Sequence, residues 1–149
     1  MTVFIGYRYA DRVQAQRIRR HLQTASIACI TEIMDFDSLS TLHISQALSR
    51  QIRQCTHVLL MMSQTTARPW WVPFAIGEAT SWGRRICCYQ MGEEDLPEYL
   101  QHWPVFTRVK QLDFLIEAYH REAAGNVQAQ AWVPAAQLPA TDLHRALRE

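Results

Sequence analysis

The chain of 149 residues has little excess of either charge: 15 lysines and arginines stand against 14 acidic residues, a formal net charge of +1. Wholesale electrostatic binding to nucleic acid needs a basic face, so nucleic acid is not an expected partner. Lysine is almost missing, with Lys110 alone among the basic residues. No apolar stretch approaches the ~20 residues of a membrane-spanning helix, so no membrane partner is expected either. The opening Met1–Tyr7 lacks the charged start, long apolar run and cleavage site of a secretory leader. Cysteine is sparse: Cys29, Cys55, Cys87 and Cys88 show no CxxC spacing, and the six histidines are scattered. No metal site is expected from that pattern, and the thiols read as free, buried groups in a reducing cytoplasm. Cys87 and Cys88 are neighbours in an apparent strand, which points them to opposite faces.

What is present is a core. Hydrophobic residues make up 48% of the chain, enough for one full domain and little more. Short apolar runs alternate with helical patterns. Thr2–Tyr7 reads as a buried strand; Asp11 is placed to cap a helix whose apolar stripe is Ala15, Ile18 and Leu22. Ile27 to about Met34 reads as a second strand, followed by a polar stretch from Asp35 to Thr41. Ile44, Leu48 and Ile52 share one face of a second helix. Thr56–Met62 is the most continuous apolar run and a central-strand candidate, with His57 as a satisfied structural histidine. A helix runs from about Trp70 or Trp71 to Trp82, with Pro73 in its first turn and Gly83 ending it. Arg85–Gln90 is a fourth strand, Met91–Trp103 a loop or short helix, and Val105–Val109 a weak fifth strand. Leu112, Leu115, Ala118 and Tyr119 mark a last helix. The expected domain covers 1–124, and 125–149 is a tail with a short helix packed on it. The alternation implies an α/β fold with a parallel sheet covered on both faces. Ligands then belong beyond the carboxyl ends of the strands, near Gly6–Ala10, Asp35–Thr41, Ser63–Trp71 and Gln90–Leu96.

Three of those segments resemble the TIR (Toll/interleukin-1 receptor) family. Val3-Phe4-Ile5-Gly6-Tyr7-Arg8 resembles its Phe-Ile-Ser-Tyr opening, with Gly6 in place of serine, and the Tyr-Arg is similar to NAD-cleaving members. Asp35-Phe36-Asp37 falls near the acidic start of the family's loop after the second strand. Trp70-Trp71-Val72-Pro73-Phe74-Ala75-Ile76-Gly77 falls on its Trp-Val-x-x-Glu-Ile helix start and is similar to bacterial TIR proteins, including those of antiphage defence. The resemblance covers about residues 2 to 120. It implies a flavodoxin-like three-layer sandwich around about five parallel strands. It further implies NAD+ as substrate, cleaved at the nicotinamide–ribose bond to an ADP-ribose-type product or signal. Self-association, filamentous when activated, and a separate sensor or effector protein come with it.

Ala75 stands where the family has its catalytic glutamate, one helical turn after Trp71. That carboxylate holds the ribose hydroxyls and stabilises an oxocarbenium-like carbon; a methyl group does neither. Coherence of the surrounding motif favours a deliberate replacement over a lineage that abandoned catalysis. The resemblance implies cofactor-binding roles for Tyr7, Arg8 and Trp71, and for Asp35, Asp37 and Ser38 in a loop that completes a neighbouring protomer's site. For each of these a plain packing or loop role stays open. Glu78 is the rival carboxylate at the pocket rim, with a solvent-facing pair to Arg84 or Arg85 as the favoured alternative. Trp70 and Trp82 are assigned to packing or to an assembly surface. The other functions weighed are a non-catalytic interaction module and a nucleoside deoxyribosyltransferase-like enzyme. A response-regulator receiver is disfavoured, because Gly6-Tyr7-Arg8 and Met61-Met62-Ser63 occupy the places of its acidic residues.

Overall fold

The computed structural model describes residues 1–31, 40–63 and 70–125. Nine elements alternate along it: β1 (Val3–Gly6), α1 (Arg12–Thr24), β2 (Cys29–Ile30), α2 (Thr41–Gln54), β3 (His57–Met62), α3 (Trp71–Ser81), β4 (Arg85–Gln90), β5 (Val105–Phe106) and α4 (Leu112–Ala123). All five strands pair in parallel, in the order β2-β1-β3-β4-β5. A parallel sheet must bury both faces, and the apolar run of β3 meets that demand: every one of its residues is buried.

Alternation along the strands sorts side chains into two cores. Phe4, Val58, Leu60, Met62, Ile86 and Cys88 face α2 and α3. Val3, Ile5, Leu59, Met61, Cys87 and Tyr89 face α1 and α4. Cys87 and Cys88 therefore lie in different cores, as the sequence requires. All four thiols are free, with Cys29 half-buried and the others buried. Burial pushes the Cys55 thiol up to about 11 and that of Cys88 to about 12. The helices follow the predicted stripes: Ala15, Ile18 and Leu22 are the buried residues of α1, and Ile44, Leu48 and Ile52 those of α2. Ser40 caps α2 by accepting the His43 N–H at 3.3 Å.

Three boundaries differ from the sequence reading. The second strand is two residues long where a run from Ile27 was expected. Ile27 instead serves the end of α1, its N–H donating to the Leu22 carbonyl at 3.1 Å after Ser26 takes a positive φ of 62°. Asp11 precedes α1 but makes no side-chain cap; its carboxylate is engaged elsewhere. The fifth strand is Val105–Phe106 only. The expected end of the second strand and the tail from 126 onward lie outside the described residues.

The amino-terminal edge of the sheet holds a polar cluster. His57 is fully buried at the start of β3, its Nδ1 2.8 Å from Thr56 Oγ1 and its Nε2 3.7 Å from Glu122 Oε2. Arg85 Nε donates to the other Glu122 oxygen at 3.1 Å, joining α4 to β4. Burial lowers the His57 imidazole from its ordinary 6.5 to about 4; Glu122 opposes that shift, and Arg85 and the amino terminus reinforce it. The histidine is structural, at the sheet edge remote from the ligand-binding ends. Between about pH 6.5 and 4 the unfolded chain binds a proton that the folded chain refuses, so folding stability drops as pH falls through that window. The loss reaches at most about 3 kcal/mol. Denaturant midpoints measured across the window are expected to fall less for His57→Gln than for the parent, and parallel curves would refute the assignment.

Candidate functional site

Ligands of a parallel sheet sit where the strand order reverses. In this order the reversal lies between β1 and β3. Three segments reach it: the end of β1 at Gly6, the turn containing Arg8 and Asp11, and Ser63 directly after β3. The first turn of α3 follows next in the chain.

Trp71, the first residue of α3, packs in the core that faces α2 and α3. It is 1% exposed. A methyl group placed on Gly6 would lie 3.0 Å from Leu60 Cδ2, 3.3 Å from Phe4 Cε1 and 3.5 Å from Trp71 Cζ3. Leu60 and Phe4 are the neighbours that such a methyl group would crowd, while the indole lies at an ordinary van der Waals distance from the end of β1. Ala75, one helical turn further, is fully buried in the core that also holds Leu48, Leu60 and Trp71. Its methyl group is a packing element between α3, α2 and the sheet. A carboxylate in its place would lose its water and need a partner or a proton.

Ser63 Oγ donates to Asp11 Oδ2 at 2.9 Å. This bond ties the end of β3 to the turn after β1 across the reversal point. Periodicity could not reveal it, since the two residues are 52 positions apart and Asp11 reads as a helix cap. The only local signals were a lone aspartate after Tyr7-Arg8 and a serine ending the central strand.

The structure does not bring all the expected residues together. Tyr7 lies on the other face of the sheet from Trp71, 2% exposed among Ile5, Ile18 and Phe106. Alternation is the cause: Phe4 and Gly6 face α3, so Tyr7 faces α1. Its hydroxyl has no hydrogen-bond partner among the described residues; burial raises its pKa, with Arg19 opposing. Arg8 is half-buried in extended backbone, its carbonyl accepting the Asp11 N–H at 2.9 Å. Asp35, Asp37 and Ser38 lie outside the described residues.

Glu78 is half-buried in a groove of about 540 Å³ between α2 and α3, where Ser49 Oγ donates to its Oε2 at 3.2 Å. The expected pair with Arg84 or Arg85 does not form. Arg84 instead donates to the carbonyls of Ile52 and Arg53 at 3.2 and 2.8 Å, closing the open end of α2, and Arg85 is taken by Glu122. Trp70 and Trp82 are 44% and 45% exposed rather than packed in the core. Trp70 meets Phe74 edge-on, and Arg53 lies 4.9 Å above the Trp82 ring.

A five-stranded parallel sheet in this order, layered by helices on both faces, defines a flavodoxin-like α/β domain. The family is more particular. The family model described as TIR domain matches residues 3–124, and the chain belongs to that family. No curated protein matches it. No described helix is long and apolar enough to cross a membrane, and the described residues contain no cluster of metal-binding side chains.

The bond across the reversal point has a measurable strength. A double-mutant cycle of Asp11→Ala and Ser63→Ala is expected to give a coupling of about 1.5 kcal/mol in unfolding free energy, as for a partly buried hydrogen bond to a charged acceptor. Additive single effects would show that the two strand ends are held by other means.

Proposed function

We propose that this TIR domain takes NAD+ in the crevice between the ends of β1 and β3. In the proposed chemistry, a glutamate at position 75 supports cleavage of the nicotinamide–ribose bond, and the chain with Ala75 is nearly inactive. The observation that carries the reading is the seating of Trp71 on Gly6 at the reversal point, with position 75 one turn behind it. An indole there packs against a flat ring or closes the pocket over it. A carboxylate behind it receives the ribose hydroxyls and opposes the positive charge that grows as nicotinamide leaves. The products belong to the ADP-ribose class and serve as a signal in bacterial immunity, read by a separate effector.

One observation favours a second reading, a non-catalytic module that works by self-association. Ala75 is fully buried and already fits its surroundings as a core residue. Burying a carboxylate there costs stability, so the two readings make opposite predictions for one substitution.

Ala75→Glu is expected to release nicotinamide from NAD+ at a rate on the order of 100-fold or more above the parent. Its thermal midpoint is expected to fall, reflecting a penalty of about 1–3 kcal/mol for the desolvated group. Nicotinamide release followed by chromatography gives the first result, and a melting curve the second. A folded variant that stays silent at high concentration would sink the enzyme reading and leave the interaction module. Equal rates in variant and parent would move the chemistry away from position 75.

A further inference from the structure

Three aromatic side chains that reach the surface of this domain are covered by neighbours. Arg12 lies 4.2 Å above the ring of Tyr9, Arg53 lies 4.9 Å above that of Trp82, and Trp70 meets Phe74 edge-on. Phe114, in the first turn of α4, is 67% exposed and makes no ring contact among the described residues. A single exposed phenyl ring is ordinary. This one lines a cleft of about 530 Å³ together with Arg108, Lys110, Gln111, Asp113 and Glu117, a volume within the range of small-ligand sites.

One end of the cleft is cationic. Arg108 and Lys110, the one lysine of the chain, are both exposed, and neither forms an ion pair among the described residues. Gln111 beside them is locked in orientation. Its Oε1 accepts the backbone N–H groups of Thr107 and Arg108 at 2.7 and 3.0 Å and the Thr107 hydroxyl at 3.1 Å. Two backbone donors require an oxygen at that place, so the amide Nε2, which has no partner among the described residues, is left to donate to a ligand. Asp113 is turned aside, its Oδ1 3.0 Å from His21 Nε2 on α1. Lys110, Phe114 and Glu117 follow at spacings of four and three, a stripe that runs from the 3-10 turn Val109–Gln111 along α4. Its order is cation, aromatic ring, carboxylate.

We infer that this cleft binds a mononucleotide, with its phosphate on Arg108, Lys110 and the Gln111 amide, its base stacked on Phe114, and the N–H edge of the base toward Glu117. Arginine and lysine hold a phosphate by charge-assisted hydrogen bonds. A phenyl ring offers a stacking platform to any base. A carboxylate only accepts, so it suits the amino and imino groups of a base edge. An inorganic anion would have no use for the ring, and a nucleic-acid strand would need a basic face that the balanced charge of the chain does not supply. The cleft shares no residue with the crevice at the ends of β1 and β3, so the inference does not rest on the NAD+ reading.

Isothermal titration calorimetry of the full chain tests it, with AMP and GMP as ligands and with inorganic phosphate, adenosine and guanosine as their separate halves. At least one of the two nucleotides is expected to bind. Phosphate alone and the matching nucleoside are each expected to bind roughly tenfold or more weakly, since each keeps only part of the contacts. Phe114→Ala and Lys110→Gln are each expected to weaken the nucleotide by a similar factor, roughly tenfold or more. Both side chains are exposed, so neither change threatens folding. The inference is overturned if neither nucleotide binds at millimolar concentration, or if phosphate or nucleoside alone binds as tightly as the nucleotide. It is overturned too if binding survives both substitutions, which would place the nucleotide in the crevice between β1 and β3.

Discussion

Strand β3 is hydrogen-bonded on both sides, and its register fixes more of this molecule than any other feature. Val58 pairs with Phe4 and with Ile86, and Leu59 with Ile5 and Cys87. Side chains alternate between faces along a strand, and paired residues share a face, so the parity of β3 assigns each neighbour to one core or the other. A slip of one residue would turn the whole set over. The same parity decides which residues meet beside the ends of β1 and β3. Gly6 faces α3 and receives Trp71, while Tyr7 is turned toward α1. The Tyr-Arg pair that looks like a unit in sequence is divided by the sheet.

Around that axis the two edges of the sheet have different tasks. The amino-terminal edge is tied by polar contacts: Thr56 bonds His57, Arg85 bonds Glu122, Glu122 lies 3.7 Å from His57, and Tyr119 donates to the Met1 carbonyl at 2.6 Å. Such a cluster secures α4 to the strand starts. At the carboxyl edge the chain ties down one point, the Asp11–Ser63 bond. A rigid sheet that presents its variable turns at one edge is how this class of fold builds a site.

The elements that periodicity marks are the ones the structure contains. The stripes of α1, α2 and α4, the run of β3 and the limits of β4 follow from apolar spacing that no tertiary contact overrides. Where the sequence misled, a short polar side chain had two possible partners. Asp11 reads as a cap because helix caps are local, but it bonds a serine 52 positions away. Glu78 reads as the partner of the arginines six and seven positions on, Arg84 and Arg85. Those arginines are taken by the carbonyls of α2 and by Glu122, leaving Glu78 to Ser49. The position of the tryptophan and alanine on α3 was legible because a motif supplied it. That alanine is enclosed on every side was not, since burial depends on what other elements pack above it.

That enclosure bears on what a carboxylate at position 75 would do. A carboxylate held away from water exerts a strong field on a cation forming beside it, and the same isolation makes it costly to the fold. An enzyme that places a carboxylate in such surroundings accepts that cost, because stability and activity make opposite demands on the position. Alanine satisfies only the first demand. Its methyl completes the core between α2, α3 and β3, and no described backbone geometry near it departs from an ordinary helix. The residue present at position 75 serves the packing.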